Sequence, residues 1–176
     1  MNKLMRFIKH LWLDASDTRR AIPIDMVHRL AQRVAASEQR HSGQIRICVE
    51  AALPASYLWR LNRQNSLGEL IRQRAVMMFG KLRVWDTEHN NGVLIYLLLA
   101  EHAIEIVADR ALMRHADSVQ WQAMVARMAG AFREQRYEDG LTQALEEISA
   151  LLVAHFARTQ ALPEYPNELP DTPLLQ

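Results

Sequence analysis

The chain has a single cysteine, Cys48, in 176 residues. A lone thiol forms no internal disulfide and no thiolate zinc cluster. Glycine is scarce, with six in all, and none stand in a dinucleotide-binding or P-loop spacing, so nothing marks a phosphate-cradling loop. Long hydrophobic runs are missing as well. The most apolar stretch, Val93–Ala100, spans eight residues, against about 20 for a membrane-spanning helix. Neither charge dominates, because 21 Lys+Arg face 20 Asp+Glu for a net charge of +1. That balance excludes a strongly basic nucleic-acid binder, and no nucleic-acid partner is expected. At the N-terminus basic residues precede apolar ones, but Lys9 and His10 interrupt the run and no small-residue cleavage site follows. A cytoplasmic location is the expectation.

What remains is an ordinary globular composition, 49% hydrophobic and 23% charged at 20.3 kDa, enough for one domain with short appendages. Charge is unevenly placed along it. Residues 1–83 carry 15 Lys+Arg and 6 Asp+Glu, whereas residues 84–176 carry 6 and 14. Such a split orients a protein on a partner or pairs protomers, or else reflects two differing solvated faces.

The pattern divides the chain into residues 1–21, an N-terminal amphipathic helix and connector, residues 22–157, an α/β domain, and residues 158–176, an extended tail with Pro163, Pro166, Pro170 and Pro173. Within 2–13, Leu4, Phe7, Ile8, Leu11 and Trp12 form one apolar stripe at helical spacing. This stripe either docks on the domain or lies on a membrane surface, giving peripheral attachment through residues 2–13. Pro23 and Asp25 open a helix running to about Arg40. Gln44–Glu50 alternates with period two and predicts a strand. Residues 52–65 read as a long loop, whose arginines and two aromatics, Tyr57 and Trp59, are too few to indicate base stacking. Ser66 and Glu69 form a capping box before a helix to Lys81. Val93–Ala100 predicts a central strand covered on both faces, and Ala103–Asp109 a third strand. Helices over 118–134 and 137–156 follow. The resulting fold class is α/β, a three-layer α/β/α sandwich with a small mixed sheet. A parallel β-α-β unit is joined by an antiparallel hairpin strand, with helices on both faces.

That topology brings the loop Trp85–Gly92, the end of the third strand at Asp109 and Arg110, and His41–Gly43 to one sheet edge, with Glu50 at the opposite end. Asp86, Glu88, Asn90, Asn91 and Asp109 are the candidate metal ligands, since they offer the hard oxygens that Ca2+ or Mg2+ requires. Asn-Asn-Gly is equally good turn chemistry, and loop carboxylates are ordinarily solvated. His89 and Arg110 are the candidate catalytic residues, and His41 and Arg83 are further groups near them. The seven histidines include no metal-binding pair, and the serines include no nucleophile elbow.

The stretches SGQIRICVEAAL, RAVMMFGKLRVWDTEHNNGVLIYLLLAEHAIEIVADR and AFREQRYEDGLTQALEEISALL together resemble the TPM domain, formerly a domain of unknown function. The resemblance spans about Ile22 to Phe156. Its most specific part joins the NNGVL strand start to a downstream Tyr137-x-x-Gly140-Leu141. It implies an α/β/α sandwich. Some members are acid phosphatases, some bind calcium, and others are accessory factors of membrane complexes. Many relatives carry a signal peptide and a membrane span, and neither is expected from this sequence. Many place Gly-x-Gly after the third strand, where this chain reads Ala108-Asp109-Arg110-Ala111. Two functions follow as expectations. One is metal-dependent hydrolysis of a phosphomonoester on a small molecule or protein. The other is a non-catalytic accessory module docked on a membrane-associated protein complex.

Overall fold

The period-two stretch forms strand β1 (Ile45–Glu50) and the apolar run forms β2 (Val93–Leu98), each buried at every position. The structure is a computed structural model that describes residues 3–62, 65–115, 118–158 and 167–176. β1 and β2 pair in parallel from Ile45 opposite Val93 to Glu50 opposite Leu98. A 3-10 turn at Leu99–Glu101, ending on His102 in the left-handed region (φ 48°), reverses the chain into β3 (Ala103–Ala108), antiparallel to β2. The expected mixed sheet is therefore present.

Helices cover both faces. Ile45, Ile47 and Val49 of β1 with Val93, Ile95 and Leu97 of β2 meet α3 (Ile24–Glu38), α7 (Ser118–Arg133) and α8 (Tyr137–Phe156) in the larger core. The alternate residues Cys48, Leu94, Tyr96 and Leu98 face α4 (Ala55–Trp59) and α5 (Leu67–Lys81). Period-two alternation on a doubly covered sheet feeds two cores at once. Position 140 of the Tyr137-x-x-Gly140-Leu141 motif is glycine for a steric reason. A Cβ there would lie 2.7 Å from the Phe132 ring, so α7 and α8 close up only on glycine.

Four segments differ from the sequence reading. The connector 14–20 contains a helix, α2 (Ala15–Ala21), capped by Asp14 with Asp17 completing a capping box. The 52–65 segment contains α4. A short helix, α6 (Arg110–Met113), follows β3. The end of the tail returns as β4 (Leu174–Leu175), parallel to β1, so the sheet has four strands in the order β3-β2-β1-β4. The extended reading of 159–166 lies outside the described residues.

The N-terminal helix α1 (Lys3–Trp12) docks by an unexpected side. Phe7 packs on the second core. His10, 4% exposed, bonds Glu101 Oε1 through Nε2 (3.0 Å) and accepts from the Leu53 N–H at Nδ1 (2.9 Å), while Arg6 Nε donates to the same Glu101 oxygen (2.9 Å). Leu4, Ile8, Leu11 and Trp12, four of the five stripe residues, are left exposed.

At the far end of β1, Glu50 is buried and held by an Arg74 fork and by the Tyr96 hydroxyl at 2.6 Å. Removing one partner of a buried pair leaves an uncompensated charge, at a cost of about 3–5 kcal/mol. Arg74→Ala is therefore expected to lower stability by that order in urea denaturation, and Glu50→Gln/Arg74→Met to recover most of it. An unchanged midpoint in the single variant would show that the pair contributes nothing.

Candidate functional site

The start of β2 and the end of β3 meet where Asp109 N–H donates to Gly92 O (2.9 Å) and Ala111 N–H to Asn90 O (3.1 Å). β1 begins at the same edge, because Val93 N–H donates to Gln44 O (2.8 Å). Gly92 is obligatory here, as a Cβ would fall 2.0 Å from Val84 O. Asn90 sits at φ 51°, a conformation asparagine tolerates. The loop is also braced internally, with Asn91 N–H on Thr87 Oγ1 (3.2 Å) and Asn90 N–H on Thr87 O (3.1 Å).

The five candidate ligands separate into two groups. Asp86 is exposed and ion-paired with Arg83 at 2.7 Å. Glu88 is exposed, and its N–H donates to Glu168 Oε2 (2.9 Å). Asn90 Oδ1 accepts from Arg110 Nη2 (2.6 Å) and Nε (3.2 Å), so a guanidinium already occupies it. Asn91 and Asp109 behave otherwise. Asn91 is 1% exposed, and its Nδ2 donates to Ser42 Oγ (3.1 Å). Asp109 Oδ1 accepts from Arg110 N–H (2.6 Å) as the cap of α6. Asn91 Oδ1 and Asp109 Oδ2 are both closed to solvent and have no hydrogen-bond partner among the described residues.

Buried oxygens are ordinarily satisfied, so this pair fits part of a hard-cation donor set. Asp86 and Glu88 do not join it. Among the described residues no group of three or more His, Cys, Asp or Glu side chains is placed to hold a metal. His89 is exposed on the loop, and Arg110 is exposed and committed to Asn90.

Sequence reasoning missed the polar residues behind this edge. His41 is fully buried, with Nδ1 3.1 Å from Gly43 O and Nε2 2.9 Å from Ser37 Oγ, and burial pushes its pKa down to about 4. Glu38 accepts from Ile45 N–H (2.7 Å), and burial, reinforced by Asp171 and Glu168, pushes its carboxyl up to about 8. Gln44 Oε1 accepts from the N–H groups of Glu168 and Leu169 (3.0 and 3.1 Å). His41 was visible as a titratable group near the loop, but its serine partners were not. Ser149 lies 112 residues from Ser37, and no local spacing links them.

The TPM domain matches residues 17–151. No curated protein matches the chain. Among solved structures, the NMR structure of BA42 protein from the psychrophilic bacterium Bizionia argentinensis aligns with a TM-score of 0.67. The alignment covers 84% of this chain and 90% of that one at 20% identity, a likeness of fold.

Glu38 and His41 give opposite pH limbs. A carboxyl whose folded pKa is raised stabilises fully below its unfolded value near 4.5, and that contribution fades as pH rises through about 8. A histidine whose folded pKa is lowered stabilises above its unfolded value near 6.5, and that contribution fades as pH falls toward about 4. The two slopes cancel between about pH 4.5 and 6.5, so stability is expected to be level there and to fall on either side. Glu38→Gln, which keeps an acceptor for Ile45, is expected to flatten the upper limb in thermal melts from pH 5 to 9. An unchanged slope above pH 6 would contradict this account.

Proposed function

The chain belongs to the TPM domain family, and on that premise we propose that it is a non-catalytic accessory module that docks peripherally on an anionic membrane surface through α1. One observation carries this reading. Arg6 and His10 clamp α1 to Glu101, turning the stripe outward, with Leu4 65%, Met5 62%, Ile8 46%, Leu11 63% and Trp12 80% exposed. A helix that anchors by its polar edge offers its apolar face to something else, and such a patch on a water-soluble surface marks an interaction site. The excess of basic residues in 1–83 suits an anionic partner. α4, which packs against α1, adds Trp59 at 74% exposure. Aromatic and aliphatic side chains with nearby cations are the composition of interfacial helices. Among the described residues no helix is long and apolar enough to cross a membrane, so the attachment proposed is in-plane.

Each inserted apolar side chain contributes about 1.5–3 kcal/mol. Full-length protein is expected to co-sediment with phosphatidylglycerol vesicles, less with phosphatidylcholine vesicles, and less at high salt. Leu11→Glu/Trp12→Ser is expected to lower binding at least about tenfold. Equal binding by that variant, or none by the wild type, would overturn the reading.

A second reading, a divalent-cation site serving phosphomonoester hydrolysis, is favoured by the unpartnered Asn91 Oδ1 and Asp109 Oδ2. These two oxygens would hold the cation, and its charge, when bound, would polarise a phosphoryl oxygen. Arg110 lies beside them for equatorial oxygens, and His89 is exposed on the loop as a proton donor. Titration of metal-free protein with Ca2+ or Mg2+ is expected to shift amide signals of residues 90–92 and 108–110. The shifts should be lost in Asp109→Ala and Asn91→Ala and retained in Asp86→Ala. No localised shift at millimolar cation would remove both the site and this route to hydrolysis.

A further inference from the structure

A cavity of about 370 Å3 lies between α3 and α8, lined by Arg33, Ser37, Arg40, Thr142, Glu146 and Ser149, with Leu145 supplying apolar surface. A relay of hydrogen bonds organises its polar wall. Arg40 Nη2 donates to Ser149 Oγ (2.7 Å), the Ser149 and Ser37 hydroxyls are 2.7 Å apart, and Ser37 Oγ lies 2.9 Å from His41 Nε2. His41 Nδ1 faces the Gly43 carbonyl (3.1 Å), which only accepts. Nδ1 therefore carries the proton of the neutral ring, and Nε2 accepts from Ser37. The single Ser37 proton is thereby spent, so Ser149 donates to Ser37.

This relay uses both serine protons inside the protein and fixes Arg40 at the cavity. Among the described residues the Arg40 guanidinium makes that one hydrogen bond, so most of its five-donor fork is uncommitted. Thr142 stands on the same wall, its Oγ1 closed to solvent and without a hydrogen-bond partner among the described residues. Two guanidinium groups against the one carboxylate of Glu146 set the sign of a ligand. The volume exceeds that of a bare tetrahedral ion and falls in the range of small organic ligands, about 300–1,000 Å3.

We propose that the α3–α8 groove binds a small organic oxyanion, its acidic head taking N–H groups of Arg40 and Arg33, and its body lying on Leu145. A planar fork held in place suits a carboxylate or a phosphomonoester. The site is separate from the Asn91–Asp109 edge and from α1, and needs neither cation nor lipid.

The test is a titration of the full-length, metal-free protein in chloride buffer with phenyl phosphate and, in parallel, benzoate, followed by backbone amide NMR. Saturable shifts confined to residues 33–41 and 142–149 are expected with at least one of them, the tighter identifying the head group. Arg40→Gln and, separately, Arg33→Gln, both exposed positions, are expected to weaken binding about tenfold at an unchanged thermal midpoint. Absence of saturable shifts in the millimolar range would overturn the proposal, as would equal binding by both arginine variants or shifts centred on residues 86–92. Inorganic phosphate binding as tightly as phenyl phosphate would mean an adventitious ion only, and would overturn the organic ligand.

Discussion

A strand buried on both faces that nevertheless contains two charges sets the terms for the rest of this fold. β1 reads Ile-Arg-Ile-Cys-Val-Glu, and Arg46 and Glu50 are only 8% and 6% exposed. An unpaired charge in that position would be prohibitive, so each must bring a partner. Glu50 draws in Arg74 from α5 and Tyr96 from β2. Arg46 donates to the carbonyls of Pro170 and Thr172, which fastens the C-terminal segment along the sheet. Gln176 N–H on Val49 O (2.9 Å) and Gln44 on the backbone of Glu168 and Leu169 complete that seam. The C-terminal segment thus supplies the carbonyls that Arg46 needs, and β4 covers what would otherwise be an open edge of β1.

The same parallel ladder sorts the molecule into two ends. The N-terminal ends of β1 and β2 and the C-terminal end of β3 share one edge, where Asn90–Gly92, Asp109 and His41–Gly43 meet. At the other edge lie Leu53, just beyond β1, and Glu101, in the β2–β3 turn. α1 is clamped to both through His10. A surface held by α1 would therefore approach the end of the sheet opposite the polar loop edge. The groove between α3 and α8 belongs to a face and to neither end, although His41 ties it to Gly43 and so to the loop edge.

What could be read in the sequence was whatever periodicity encodes. Alternation at 45–50, the apolar run at 93–98 and the capping box at Ser66 specify elements locally, and the short β2–β3 turn leaves one pairing direction. Membership of one sheet edge followed from that topology. Side choice did not. The stripe Leu4–Trp12 states that α1 has two faces but not which one docks, and the answer rests on a buried His10–Glu101 contact 91 residues apart. Nor do two leucines at 174–175 carry a strand signal, since their pairing depends on Arg46 capturing carbonyls 124 and 126 residues away. In the loop, oxygen-rich composition indicated a ligand set, whereas charge pairing redistributed it. Arg83 takes Asp86 and Arg110 takes Asn90, leaving Asn91 and Asp109 with open valence.

That pattern of satisfaction is itself informative about where ligands act. The protein meets buried polar demands even at long range, as with Ser37 to Ser149 or Gln44 Oε1 to Leu169 N–H. Against such thoroughness, three buried side-chain oxygens among the described residues stand without partners, Asn91 Oδ1, Asp109 Oδ2 and Thr142 Oγ1. A buried polar group left unmet costs about 1–3 kcal/mol, and Asn91 and Asp109 each use their other side-chain atom, on Ser42 Oγ and on the Arg110 N–H. Two of the three oxygens lie at the loop edge, and the third belongs to a residue that lines the groove beside two arginines. The proposed cation site thus rests on unmatched acceptors at the edge, and the proposed oxyanion site on the guanidinium donors of the groove.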